Sequence, residues 1–276
     1  MSEFYIRTLV DGKELSKKDV QEIEMSRIQH VFTDLTNLGG ELVDKDGVKI
    51  SLSSAQALDF SSAKKALIQT KIALGSERLL SLYENELKKS DVMWREIASK
   101  SEIGKNTRDS FIEFEVEGVT LGDFIASLPY ISSRSDRNLP YHIHPEHFVN
   151  IDKKDGQMVM ETLGMYGGPT YLFIKVHGKK PFPKDPDTNL SLVAGNATLI
   201  SDNMDIQMRG MHQFKAKKNG MKIKLAIIFP EAAPREIAEG HKYHLAVEFY
   251  NMIAFAGETK SFGGKVINSI VKHLKI

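Results

Sequence analysis

The sequence contains no cysteine, and this absence narrows the chemistry open to the protein. Disulfide bonds, zinc–thiolate sites and cysteine nucleophiles are excluded, because each needs the cysteine sulfur. Any metal ion must therefore be bound by nitrogen and oxygen atoms. No uninterrupted apolar run approaches the roughly 20 residues that a transmembrane helix needs. The first residues lack the basic and apolar regions of a signal peptide, so we expect a cytoplasmic protein.

An excess of charge of one sign is also missing. The 276 residues include 37 basic and 36 acidic ones, for a net charge of +1. This balance gives no reason to expect a nucleic acid or an anionic membrane as a partner. Gly-x-Ser-x-Gly and a phosphate-binding loop are absent too, which argues against a serine hydrolase and a P-loop nucleotide site. Hydrophobic residues make up 41% of the chain, enough for an ordinary globular core.

The two parts of the chain differ in the period of their apolar residues. After a short strand at 4–10, apolar residues recur at helical spacing from about 17 to 100. From residue 111 onward the period becomes two, which is typical of half-buried strands. The predicted strands are 111–118, 157–164, 170–177, 190–201, 204–216 and 221–229. The sequence thus predicts a mainly helical N-terminal part, 1–110, and a strand-rich C-terminal part, 111–276.

The order of the C-terminal elements predicts an α+β fold. Short links join the strands, and Asn219-Gly220 marks a hairpin, so we expect an antiparallel sheet. A long helix over 233–255 follows, and a last helix carries Val266 and Ile270. We expect the sheet to curve around the long helix. The N-terminal part is expected to serve as a lid or as the surface of a homodimer.

The long helix carries a polar stripe. His241, His244, Glu248 and Asn251 are spaced by three and four residues, which puts them on one helix face. A histidine and a glutamate four residues apart can reach one cation together, and both are zinc ligands. The alternative is a solvated surface pair with no metal.

Two strand residues strengthen the metal interpretation. His212 alternates with apolar neighbours that point to the core, and Glu161 shares a face with Val159 and Leu163. A buried imidazole or carboxylate needs a partner, a proton or a metal. Each residue alone is more simply a hydrogen-bonded structural group. Together with the helix stripe, they predict one site that lines a cavity.

A third cluster lies at 141–147, Tyr-His-Ile-His-Pro-Glu-His. His142 and His144 would point to the same side of an extended segment, as metal ligands on a strand do. This pattern permits a cupin-like iron oxygenase as a further interpretation. However, Glu146 follows too closely for the usual cupin spacing, and no second cupin motif occurs. A polar surface loop is the alternative.

These motifs resemble a known family. The runs RGMHQFKAKKNGMKIKLAIIF and EGHKYHLAVEFYNM resemble the C-terminal part of the 2,4-diacetylphloroglucinol hydrolase and phloretin hydrolase family. NLPYHIHPEHF and ETLGMYGGP resemble two further segments of it. The likeness covers roughly residues 111–255. It implies a Bet v 1-like fold and hydrolysis of the carbon–carbon bond between an acyl group and a polyhydroxylated aromatic ring.

The resemblance also implies a zinc ion held by two histidines and two glutamates. Carried over to this chain, the ligands are Glu161, His244, Glu248 and an upstream histidine, for which we take His144. His142 and His147 are the alternatives for that upstream ligand, because Tyr130 stands where the family has its histidine. Iron or manganese would suit nitrogen and oxygen ligands as well.

The catalytic roles follow from the same likeness. His212 is the candidate for orienting the substrate or moving a proton, since imidazole titrates near neutral pH. Tyr141 or Tyr243 could hold a ring hydroxyl. We therefore expect a zinc-dependent hydrolase of a small aromatic or ketonic substrate. A non-catalytic protein that binds a small ligand in the same cavity is the alternative.

Overall fold

The computed structural model describes residues 4–102, 104–131, 139–176 and 184–259. The described strands are β1 (Tyr5–Val10), β2 (Lys13–Leu15), β3 (Leu42–Val43), β4 (Lys49–Ile50), β5 (Thr107–Glu117), β6 (His147–Lys153), β7 (Gly156–Glu161), β8 (Thr170–Val176), β9 (Ser191–Leu199), β10 (Asp205–Lys217) and β11 (Gly220–Pro230). The described α-helices are α1 (Lys17–Asn37), α2 (Leu52–Gln56), α3 (Phe60–Leu82), α4 (Glu84–Ser99), α5 (Leu121–Ile131), α6 (Leu139–Ile143) and α7 (Arg235–Glu258).

Nine of these strands form one curved antiparallel sheet, in the order β2-β1-β5-β11-β10-β9-β8-β7-β6. β3 and β4 form a separate pair. The predicted hairpin at Asn219-Gly220 is confirmed, since Lys217 pairs with Gly220. Strand β6 was not among the predicted strands, and its first residue, His147, is the last residue of the histidine-rich segment at 141–147.

The predicted long helix is confirmed as α7, with Pro234 at its N-cap. Most faces of this helix carry buried residues, the majority of them apolar, as is typical of a helix in the interior of a protein. Phe249 packs 6.4 Å from the ring of Phe114 on β5, measured between ring centroids. Leu245 and Ile253 are buried in the same core as the inner faces of β5 and β11. The mixed fold with a curved antiparallel sheet and a C-terminal helix is therefore confirmed.

The N-terminal part contributes to both the sheet and the site. Strand β1 pairs with β5, so the main sheet begins near residue 5. Helices α1 and α3 enclose a second core that includes Phe148 of β6 and Met160 of β7. The helical run predicted from about 17 to 100 is divided into α1, α2, α3 and α4, with the β3–β4 pair between α1 and α2. Helices α1 and α3 thus cover the β6–β7 end of the sheet, whereas Trp94 of α4 belongs to the main core.

The segment that carries three histidines differs from the prediction. Residues 139–143 form the short helix α6, so His142 and His144 do not share one face of an extended segment. His142 is exposed, whereas His144 is fully buried. The predicted final helix around residue 270 lies outside the described residues. The same holds for the side chain of Tyr130.

Candidate metal centre

Close backbone contact fixes the position of α7 beside the end of β7. After β7 the chain makes a 3-10 turn at Leu163–Met165, where Gly164 has a φ of +66°. A Cβ atom on Gly240 of α7 would lie 1.8 Å from the carbonyl oxygen of Gly164, so no other residue fits there. The contact places the next residue of α7, His241, against the turn, where its Nδ1 accepts a hydrogen bond from the Gly164 N–H at 3.1 Å. His244 follows one turn later.

A β-turn brings two more histidines to the same place. The N–H of His147 donates to the carbonyl oxygen of His144 at 3.3 Å, and Pro145 takes the second position of the turn. Proline suits that position because its ring fixes φ near −65°. The ring centroids of His144 and His147 therefore lie only 5.3 Å apart.

His144, His147 and His244 form a cluster that could hold a metal ion. One nitrogen from each ring lies within 4.8 Å of those from the other two, and all three residues are buried. Four of their six ring nitrogens make no hydrogen bond: Nε2 of His144, both nitrogens of His147 and Nδ1 of His244. Unpartnered buried polar atoms are costly, and a bound cation would remove that cost. Donors of a tetrahedral zinc ion lie about 3.4 Å apart, so ring nitrogens up to 4.8 Å apart would have to move closer together to bind one ion.

The ionisation of two of the three histidines suits a cation. Burial, together with the charges of neighbouring histidines, holds the pKa of His144 and of His244 well below the usual histidine value. Both rings are therefore neutral at physiological pH, the state in which a nitrogen lone pair can bind metal. Burial also lowers the pKa of His147, but Glu161 and Glu248 outweigh it, so that this pKa is raised.

Two carboxylates accompany the histidines. Oε2 of Glu161 lies 3.3 Å from Nε2 of His147, an ion-pair distance without hydrogen-bond geometry. Glu248 follows His244 by one helical turn and lies close enough for its charge to raise the pKa of His147. Burial raises the pKa of Glu248 to about 7, since a charged carboxylate is poorly solvated there. Glu161 thus contacts His147 of the cluster, and Glu248 lies near both His147 and Glu161.

The hydrogen bond of His144 limits its role. Its Nδ1 accepts the N–H of Glu146 at 3.1 Å, so in the neutral ring the hydrogen stands on Nε2. To bind a metal through Nε2, the ring would have to move its hydrogen to Nδ1 and lose that bond. His147, with both nitrogens free of hydrogen bonds, has no such conflict.

A small cavity of about 130 Å³ adjoins the centre, and Glu161, His212 and His241 contribute to its lining. The remaining wall is mostly apolar and includes four small residues, Ala194, Gly195, Ala197 and Gly210. Nδ1 of His212 and Oδ1 of Asn196 are buried without a hydrogen-bond partner. A cavity of about 150 Å³ can hold one benzene molecule, so this one is suited to a single small ring.

The two cavity histidines are neutral. Burial lowers the pKa of His212 to about 4 and that of His241 to about 4. Nδ1 of His241 accepts the Gly164 N–H, so the imidazole hydrogen of the neutral ring is on Nε2. In this state Nε2 can only donate a hydrogen bond. The predicted position of His212 on the core side of β10 is consistent with its edge contact to Phe249, 5.6 Å between centroids.

Other predicted residues lie at different distances from the centre. The ring of Tyr141 is nearly buried, with Nζ of Lys71 5.3 Å from its centroid. Tyr243 is 36% exposed on α7, and the structure does not bring it to the cluster. Nδ2 of Asn251 donates to the carbonyl oxygen of Ile143 at 2.8 Å, so this residue ties α6 to α7.

Two cations from the N-terminal helices also reach the centre, and the sequence did not reveal them. Lys71 of α3 is fully buried, and its Nζ donates to the carbonyl oxygens of Pro145 and of His147, the latter at 2.7 Å. Arg27 of α1 forms an ion pair with Glu146, which is also fully buried. Burial lowers the pKa of Lys71 to about 7. A lysine on the apolar face of a helix, between Leu67 and Leu74, was the available signal.

No protein-family model matches the sequence. A search of curated proteins finds no significant match. Among the helices that the structure describes, none is long and apolar enough to cross a membrane.

Proposed function

We propose that the protein is a metal-dependent hydrolase. One observation carries the proposal: three buried histidines with unpartnered nitrogens lie together, and Glu161, which contacts one of them, lines a cavity that can take a small ring. Structural histidines normally have both polar atoms satisfied when they are buried. A set of unsatisfied nitrogen and oxygen donors around one point is the usual composition of a metal site.

We take His147, His244, Glu161 and Glu248 as the ligands. His147 replaces His144, our ligand from the sequence, because Nδ1 of His144 is occupied by the Glu146 N–H. His144 then offers its Nε2–H as a hydrogen-bond donor beside the metal. Two histidines and two glutamates suit zinc, and iron or manganese could be held by the same donors. The same set agrees with the one implied by the resemblance to acylphloroglucinol hydrolases.

When bound, zinc would polarise a carbonyl group and lower the pKa of a water molecule toward about 7. In the proposed reaction, the hydroxyl of water joins the acyl carbon and a proton joins the ring carbon as the bond between those carbons breaks. The chain's own residues bind and orient the ring. The Nε2–H of His241 can donate to a ring oxygen, and His212 can accept or return a proton through Nδ1.

The substrate class we propose is an acylated, hydroxylated single ring or a similar ketone. The cavity volume of about 130 Å³ and its small wall residues support one ring rather than several. A Bet v 1-like fold belongs to the same proposal, supported by the antiparallel sheet around α7. The cavity without a metal would instead fit the alternative, a binding protein for a small apolar ligand.

The test is elemental analysis of the purified protein, with His244→Ala and His142→Ala variants prepared in parallel. We expect close to one zinc ion in the wild type and in His142→Ala, whose side chain is exposed. His244→Ala should lose the metal and the hydrolysis of acylphloroglucinols together. If the wild type takes up no zinc, iron or manganese when each is supplied, the hydrolase proposal fails and the ligand-binding function stands.

A further inference from the structure

Lys71 has the features of a residue that positions another group. It lies on α3, its side chain is 0% exposed, and the wall around its Nζ includes the rings of Tyr141 and Phe148, at 5.3 and 5.1 Å. A lysine is almost never fully buried without a specific partner, because removal of an ammonium group from water is costly. The groups that accept hydrogen bonds from Lys71 therefore indicate the role of this buried lysine.

Both acceptors belong to the turn that carries the histidines. Nζ donates to the carbonyl oxygens of Pro145 and His147, which are the second and fourth residues of that turn. Two hydrogen bonds from one lysine to carbonyls two residues apart hold the turn in position and orientation against α3. His147 can then be displaced from the centre only if Lys71 moves with it.

A positive charge on Lys71 would oppose metal binding rather than promote it. It lowers the pKa of both His144 and His147, so it lies close enough to repel a second cation there. Glu146, paired with Arg27 of α1, supplies the compensating negative charge. Lys71 therefore acts by holding the turn in position. The adjacent Arg27–Glu146 pair holds the third residue of the same turn.

We propose that Lys71 is a positioning residue of the metal centre, through which helix α3 holds the His144–His147 turn in the geometry that binds the ion. This inference rests on the metal site of the proposed function, but not on the hydrolytic reaction. It makes the N-terminal helices part of the centre. Groups that orient metal ligands typically change metal affinity by about 10–100-fold when they are removed.

The test compares Lys71→Met with Lys64→Met. Lys64 lies seven residues earlier on the same helix, and its Nζ pairs with the buried carboxylate of Glu24 on α1 at 2.7 Å. Both variants lose a charged group from α3. The measurements are cobalt(II) affinity, the visible spectrum of bound cobalt, and the free energy of unfolding without metal.

We expect Lys71→Met to bind cobalt about 10–100-fold more weakly, with a changed visible spectrum that reports altered ligand geometry. Lys64→Met should lose stability yet keep the wild-type affinity within about twofold and keep the spectrum. Equal affinity and identical spectra for Lys71→Met and the wild type would overturn the inference.

Should Lys71→Met fail to fold, Lys71→Arg provides the second comparison. It retains the charge and the donors but moves them along a longer, planar side chain. We expect weaker cobalt binding and a shifted spectrum, and wild-type values for both would again overturn the inference. A wild type that binds cobalt but cleaves no acylated ring would end only the hydrolase proposal. A wild type that binds no metal would end both.

Discussion

The His144–His147 turn and helix α7 bring histidines to the same point by different means. The turn is held by side chains: Lys71 bonds its carbonyls, and Arg27 pairs with Glu146. Helix α7 is held by backbone packing, because Gly240 lies against the carbonyl oxygen of Gly164 with no room for a Cβ atom. The position of the turn thus depends on charge and hydrogen bonding, whereas the position of α7 depends on the absence of a side chain at Gly240.

This difference predicts how each support fails. Loss of a charged partner leaves a buried group unsatisfied, an effect that a second mutation can compensate. An added methyl group at a backbone contact has no such remedy, since backbone atoms cannot rotate away. The two supports should therefore respond differently to matched substitutions.

The largest effect is expected for Gly240→Ala. In an ordinary helix this change stabilises by about 1 kcal/mol, because alanine has the higher helix propensity. Here the new Cβ would meet the Gly164 oxygen at 1.8 Å, so we expect a loss of roughly 4 kcal/mol or more. Urea denaturation measures it.

Gly210→Ala is the control for that change. Gly210 lies on β10, and a Cβ there would have its nearest contact at 3.7 Å, with Cδ1 of Ile227. We expect its free energy of unfolding to stay within about 1 kcal/mol of the wild type. Similar losses in both variants would mean that the close contact of α7 is not the support we describe.

A smaller effect is expected on the side of the turn, for Arg27→Met. The substitution leaves the fully buried carboxylate of Glu146 without its cation, which should cost about 3 kcal/mol. Arg27→Met combined with Glu146→Gln should recover much of that loss, because the orphan charge is then removed. A double-mutant cycle by urea denaturation measures the coupling.

Additive losses would contradict the prediction for the turn. They would mean that the Arg27–Glu146 pair acts as two independent surface charges, although the side chains are only 15% and 0% exposed. The corresponding cycle is not available for Gly240, since its partner is a backbone oxygen.

The same distinction explains what the sequence could predict. His244 and Glu248 follow from helical spacing, and the β10–β11 hairpin follows from Asn219-Gly220, because each signal lies within a few residues. His212 was found by the alternation of its own strand. Each of these rules uses only neighbouring residues. The structure has the expected helix at His244 and Glu248 and the expected hairpin between β10 and β11.

Contacts across the chain could not be found in this way. Lys71 and His147 are 76 residues apart, and Arg27 and Glu146 are 119 apart. The helix α6 was also missed, so His142 was expected beside His144. The choice between His144 and His147 as the metal ligand depends on the hydrogen bond that Nδ1 of His144 accepts from the Glu146 N–H. No spacing rule reveals that bond.

The smallest effect at pH 7 is expected for a substitution of His212 on β10. Its Nδ1 is buried without a partner, and burial lowers its pKa to about 4. The unfolded chain, with a pKa near 6.5, takes up a proton as the pH falls from 6.5 to 4, while the folded protein does not. The wild type should therefore lose about 3 kcal/mol over that range through this residue.

His212→Phe removes the titration, so its free energy of unfolding relative to the wild type should rise as the pH falls. At pH 7 it should cost less than about 1 kcal/mol, since the change also removes the buried Nδ1 that has no partner. His241→Phe should show the same pH trend but a loss of about 1–3 kcal/mol at pH 7, because the Gly164 N–H then loses its acceptor. Equal losses in both variants at pH 7 would show that the backbone bond of His241 adds nothing to the support of α7. Urea denaturation of the metal-free proteins at pH 4, 5.5 and 7 separates these outcomes.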